Sequence, residues 1–201
     1  VLETATGKVF GGVKNPLIVS VRSGSPASMP GMMDTILNMG VVDDTIAGLA
    51  ELMKQERPAL DAYRRFIQGF GSVVLGIEKN LFESQLDQKK QDKGFEYDHQ
   101  IGPKDLSELV ETFKGIVKDH TGISLPQDPW DLLRQAIGAV FISWNNPRAV
   151  TYRDHNHIPH DLGTGCVIMA MVFGNLGADS GTGVVFTRNP ANGANELFGE
   201  F

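Results

Sequence analysis

The spacing of apolar residues changes character twice along this chain, and few folds accommodate the pattern. Residues 16–22, Pro-Leu-Ile-Val-Ser-Val-Arg, are short and rich in β-branched side chains, bounded by Asn15 on one side and Ser23-Gly24 on the other. They predict a buried strand with Arg22 at its end. From about residue 43 to 121 the period becomes helical. Leu60, Tyr63, Phe66, Ile67, Phe70, Val73, Val74 and Ile77 recur at three and four, with Pro58 at an expected first helical position. Leu106, Leu109, Val110, Phe113 and Val117 do the same, although Gly115 weakens that helix by roughly 1 kcal/mol against alanine. Between them, residues 83–93 form a mixed-charge run that reads as a solvated face or a hairpin tip. A third long helix is expected to start at an Asp128 N-cap with Pro129 at N1 and to stop before Asn145-Asn146-Pro147. Beyond it, residues 166–173, 184–188 and 196–201 read as strands of an antiparallel meander, the last two joined by a turn over 189–193 that holds an Asn-Gly pair.

Strands, then helices, then strands imply an α+β fold with a mixed or antiparallel sheet and an inserted helical subdomain. The 201 residues suffice for one large domain or two small ones. A formal net charge of -6 argues against a nucleic-acid surface. The single cysteine, Cys166, excludes an intrachain disulfide framework and suits a reducing compartment; it opens an apolar stretch and reads as a buried, inert thiol. No apolar run approaches the ~18 residues a membrane span needs. A cytoplasmic or organellar-soluble protein is expected. The absence of a starting Met and an ending in mid-strand read as truncation at both ends.

The stretch after the first strand carries the chemistry. Residues 23–31 hold two glycines, two prolines and three serines, a composition that lets backbone N–H groups approach an anion. Arg22 at its edge offers a planar fork suited to phosphate oxygens. Together they read as a phosphate cradle with a clamp; a plain connector loop with a surface arginine stands as the alternative. No Gly-Lys-Ser/Thr follows, so the loop is neither a Walker loop nor a dinucleotide fingerprint.

The strings SVRSG and SMPGMMDT, then YRRF at 63–66, SWNNPRA at 143–149, and MVFGN, SGTGVVFTRNP and LFGEF further on, resemble in the same order the amino-terminal nucleotide-binding part of the pyruvate, phosphate dikinase family. The resemblance runs from about residue 7 to 201. It implies an ATP-grasp-like fold, with 1–41 and 127–173 as a first subdomain, 42–126 as the helical insertion and 174–201 as the start of a second. The implied parent enzyme converts ATP, phosphate and pyruvate to AMP, pyrophosphate and phosphoenolpyruvate through a phosphohistidine on a swivelling domain. Carried over residue by residue, Arg22 contacts ATP phosphates, the backbone of Gly31, Met32 and Met33 lies over them, and Met171 and Val172 form the adenine edge. Glu200 is a carboxylate that would face the nucleotide. A phosphate-contacting lysine is expected upstream, and the Mg2+ carboxylates with a nearby glutamine downstream. Neither a catalytic residue nor a metal ligand is therefore expected within these residues, and the isolated stretch is expected to be inactive. The parent is expected to be a homodimer formed through its barrel domain.

Plainer readings cover the rest. His155, His157 and His160 with Asp161 read as loop polar residues, since no further ligands stand at a metal-site spacing. Arg148 and Arg153 read as surface ion-pair residues flanking a loop. Asp34 and Thr35 read either as a cap for a following helix or as ligand contacts. Met29, Met32 and Met33 read as core filler or as a lid that repacks. Two rival functions remain: a nucleotide-sensing or docking module without catalysis, and a stand-alone kinase or ligase of the same fold.

Overall fold

A computed structural model describes residues 1–177 and 179–200. They fall into two compact units, Val1–Met171 and Val172–Phe201. The first unit contains seven helices: α1 (Leu2–Thr6), α2 (Ile46–Met53), α3 (Glu56–Val73), α4 (Lys79–Lys93), α5 (Pro103–Thr121), α6 (Pro129–Ile142) and α7 (Pro147–Asn156). Its strands are β1 (Val9–Phe10) and β2 (Pro16–Leu17), which pair in parallel, and β3 (Val19–Gly24), β4 (Thr35–Met39) and β5 (Gly165–Ala170), which form an antiparallel sheet in the order β4-β3-β5. The second unit holds β6 (Val184–Phe186) and β7 (Phe198–Glu200), an antiparallel pair. The architecture is mixed α+β.

Period-2 alternation makes the three-stranded sheet two-faced. Val19, Val21 and Ile36 are almost wholly buried on one face, against which α3 and α6 pack. Arg22, Leu37, Val167 and Met169 are exposed. Arg22 stands opposite Thr35 of β4 and Val167 of β5, at the centre of the sheet.

The helical region is held by apolar stripes at the spacing read from the sequence. Phe66, Ile67 and Phe70 on α3, and Leu106, Phe113 and Val117 on α5, are at most 1% exposed, and the two helices pack together. Phe82 of α4 meets Phe113 edge-on at a centroid distance of 5.0 Å, a geometry that adds roughly 0.5–1.5 kcal/mol beyond area burial. The YRRF string is structural: the Arg64 guanidinium, 3% exposed, donates to Asp61 at 2.6 Å, and Tyr63 donates its hydroxyl to Asp43 at 2.8 Å. Asp43 also accepts from Lys114 of α5, and its N–H donates to Gln127 Oε1 at 2.9 Å. Asp43 thus joins the loop before α2 to α3 and α5 through its carboxylate and to the loop before α6 through its backbone N–H. Burial and the Asp43 hydrogen bond push the Tyr63 phenol far above its ordinary range.

Asp128 caps α6 as expected, accepting from Trp130 N at 2.8 Å and Asp131 N at 3.4 Å. Other expectations need correction. Residues 83–93 are no hairpin tip: they belong to helix α4, whose Phe82 and Leu86 face inward while Lys79 and Glu83 pair at i,i+4 in solvent. Pro58 lies at the third position of α3, after Glu56 and Arg57. The run 16–22 divides into β2 and β3. There is no three-strand meander: β5 adds to β3, a partner more than 140 residues away in sequence, and β6 and β7 form a sheet of their own. Thr35 opens strand β4, so neither it nor Asp34 caps a helix. His155 and Asn156 close helix α7, and His157 is its left-handed C-cap with φ 55°, where a loop was expected. Arg153 is no surface residue; it is 1% exposed, its guanidinium 4.0 Å from the Trp144 ring centroid and donating to Trp144 O. The last expected strand reaches Phe201, which lies outside the described residues.

Candidate functional site

The loop between β3 and β4 forms a cleft of about 340 Å³ lined by Ser23, Ser25, Ser28, Gly31, Met33 and Thr35 among others. No carboxylate lines it, and the hydroxyls of Ser23, Ser28 and Thr35 carry no hydrogen bond among the described residues. At the tip, Met32 N donates to Met29 O at 3.2 Å across Pro30-Gly31, with Gly31 at φ 72°. Proline second and a positive-φ glycine third in a four-residue turn is the type II pattern, which an L-residue at the glycine position would strain. An added Cβ at Gly31 would meet nothing within 4 Å, so the requirement is one of backbone conformation and not of space.

The turn decides which amides remain available. Met32 has its N–H in the turn and its carbonyl accepting from Arg148 Nε at 3.0 Å. The N–H groups of Ser28, Met29, Gly31 and Met33 carry no hydrogen bond among the described residues. Unpartnered backbone donors along such a loop suit an anion. Arg22 stands beside the cleft: it follows Val21 and precedes Ser23, and its register partner is Thr35. Its Nε donates to Ser20 Oγ at 3.2 Å, it is exposed, and among the described residues it has no ion-pair partner.

The structure therefore brings Arg22, Gly31 and Met33 to the β3–β4 connection, with Met32 turned into the loop's own framework. Met171 follows the end of β5 in the same unit; its N–H donates to Ile18 O at 2.9 Å, and its carbonyl accepts no hydrogen bond among the described residues. Val172, 94% exposed, opens the second unit, and Glu200 lies exposed on β7 opposite Val184. Cys166 sits on β5, its thiol raised by burial above the ordinary range, which disfavours the thiolate. Among the described residues no group of three or more His, Cys, Asp or Glu side chains converges.

Residues that carry the loop's geometry lie in the SWNNPRA string, whose role the sequence alone did not assign. Asp34 N donates to Ser143 Oγ at 3.2 Å, Asn146 Nδ2 donates to Asp34 Oδ2 at 2.8 Å, and Arg148 pairs with Asp34 Oδ1. Met33, Trp144 and Ala149 form a small buried cluster against which Met29 and Met32 pack. The pairing of SMPGMMD with SWNNPRA spans more than 100 residues, and no spacing rule exposes it.

Comparison with known proteins shows the family. The family described as "Pyruvate phosphate dikinase, AMP/ATP-binding domain" matches residues 2–200. Pyruvate, phosphate dikinase of Clostridium symbiosum is 50% identical over 201 residues, all of this chain and 23% of that protein. The Rhizobium meliloti (strain 1021) enzyme is 48% identical over 200 residues, 100% of this chain and 22% of its own length. The chloroplastic enzyme of Mesembryanthemum crystallinum is 49% identical over 201 residues, 100% of this chain and 21% of its own. The chain spans under a quarter of the length of these relatives. With the match running over essentially every residue, this chain belongs to the pyruvate phosphate dikinase AMP/ATP-binding domain family.

Proposed function

We propose that the β3–β4 cleft holds the triphosphate of ATP, with Arg22 as the cationic clamp and the free amides around Gly31 and Met33 as the cradle. One observation carries this reading: an exposed guanidinium with no ion-pair partner among the described residues stands beside a cleft offering free N–H and hydroxyl groups and no carboxylate. A phosphate chain supplies the acceptors that such a donor set lacks. The open carbonyl of Met171 then reads the adenine amino group. The fold is ATP-grasp-like, with 1–41 and 127–173 as one subdomain, 42–126 as the helical insertion and 174–201 as the opening of another.

In the longer chain, this portion presents ATP to a phosphohistidine on a swivelling domain, and the whole enzyme converts ATP, phosphate and pyruvate to AMP, pyrophosphate and phosphoenolpyruvate. Catalysis of this kind rests on positioning and on neutralising developing charge. Arg22 and the loop amides supply part of both. Mg2+ would be held by carboxylates outside these residues and would neutralise phosphate charge. The parent enzyme is a homodimer in the cytoplasm or an organelle. No helix of the described residues is long and apolar enough to cross a membrane.

Calorimetric titration of the full-length protein with ATP, with and without Mg2+, tests the reading. Arg22→Ala is expected to weaken binding tenfold or more, since a charge-assisted hydrogen bond contributes about 1.5–3 kcal/mol. Equal heats from the two proteins would remove Arg22 from the site.

A further inference from the structure

The β3–β4 loop is not uniformly held. Residues 32–34 are tied to residues 143–149, which run from the end of α6 into the first turn of α7, by the Arg148 Nε donation to Met32 O at 3.0 Å, the Arg148 and Asn146 contacts to the two Asp34 oxygens, the Ser143 contact to Asp34 N, and the Met33–Trp144–Ala149 cluster. Residues 25–31, by contrast, have only bonds internal to the loop: Ala27 N to Ser25 Oγ at 3.3 Å and the turn from Met32 N to Met29 O. We propose that Asp34, Asn146 and Arg148 are positioning residues, the fixed end of a lid whose moving part is residues 25–31, and that they set where the free amides stand over the phosphates. The proposal rests on the phosphate-cradle reading above.

Three features favour an anchor over a mere surface contact. The Asp34 side chain is only 19% exposed, and both its oxygens are engaged from one partner segment. Arg148 uses two different nitrogens on two different residues, a carbonyl and a carboxylate, which takes a planar fork and which a lysine ammonium does not reproduce. Met29 and Met32 pack on the Trp144 cluster through flexible, polarizable side chains able to repack when the tip moves. With its side chain 53% exposed, Arg148 adds little to global stability; exposed pairs are worth little in net free energy. Its contribution is geometric.

The test uses the full-length protein and a non-hydrolysable ATP analogue with Mg2+, comparing wild type, Arg148→Ala, Arg148→Lys and Arg22→Ala. Two quantities are read: the analogue's Kd, and amide hydrogen exchange at the hydrogen-bonded Met32 and Asp34 amides and in α3. Arg148→Ala is expected to speed exchange at Met32 and Asp34 several-fold, leave α3 unchanged and weaken the analogue about tenfold, and Arg148→Lys to recover little of either. Full recovery by Arg148→Lys would show that charge alone matters and would overturn the anchor. So would weaker binding with unchanged exchange at Met32 and Asp34, which places Arg148 on the ligand, or faster exchange throughout α3, which marks general destabilisation. If Arg22→Ala weakens binding while Arg148→Ala does not, the anchor fails and the cradle stands. If neither does, the cradle itself fails.

Discussion

The same chemical change, glycine to alanine, is expected to act with opposite sign at two positions of this chain. At Gly31 φ is 72° and an added Cβ meets nothing within 4 Å, so Gly31→Ala introduces left-handed strain and no clash. That strain is roughly 1–2 kcal/mol, offset by about 0.4–1 kcal/mol from the lost freedom of the unfolded chain. A net loss of about 1 kcal/mol falls on the turn, because the added methyl itself touches nothing. At Gly115, in the interior of α5, an added Cβ also meets nothing within 4 Å and the backbone is helical, so alanine gains up to about 1 kcal/mol. Hydrogen exchange on the full-length protein separates the two. The Met32 amide, which closes the turn, should exchange about fivefold faster in Gly31→Ala, and α5 amides that open locally should slow by a similar factor in Gly115→Ala. Unchanged or slower exchange at Met32, or faster exchange in α5, would show that φ does not decide the sign.

Further outcomes follow from the packing. Asp128→Ala removes two N–H acceptors from the start of α6 and should cost about 0.5–2 kcal/mol, read as faster exchange in the first turn of that helix. Phe113→Ala opens a void beside Phe82 and should destabilise by about 3–5 kcal/mol in denaturant unfolding of the helical region. The Tyr63 phenol is raised in the fold from an ordinary 10.0, so it stabilises below that pH, and stability falls as pH rises through its folded value. Lys114 acts in the same sense: burial alone would lower its pKa, but its bonds to Asp43 and Glu111 prevail and raise it above 10.5. Alkaline loss of protection in α3 and α5 should therefore begin above pH 10 and be reduced in Tyr63→Phe; an identical alkaline profile in that variant would remove Tyr63 as a cause.

What could be read from sequence was local. The stripes of α3 and α5 stand at their 3.6-residue spacing, and the Asp128-Pro129 start of α6 is a side-chain-to-backbone signal confined to a few residues. Helix α7 escaped because Asn146-Pro147 was read as the end of the preceding helix, when Pro147 is the first residue of a new one whose sequence PRAVTYRDHN has little apolar periodicity. Strand β4, TILNM, lacks clean alternation and carries Asn38 at φ 59°, one residue before its end. The pairing of β5 with β3 is a long-range choice that no single segment encodes. At the site, the small-residue composition of the loop and the position of Arg22 were legible. The burial of Arg153 under Trp144, and the seating of Asp34 on Asn146 and Arg148, depend on tertiary neighbours and were not.

Co-crystallisation of the full-length protein with a non-hydrolysable ATP analogue puts the phosphate-cradle reading to its most direct test. The account predicts phosphate oxygens within hydrogen-bond distance of the Arg22 guanidinium and of the amides near Gly31 and Met33, with the Met29–Met32 turn retained. A nucleotide bound elsewhere, or an Arg22 side chain turned away into an ion pair while the ligand is in place, would contradict it.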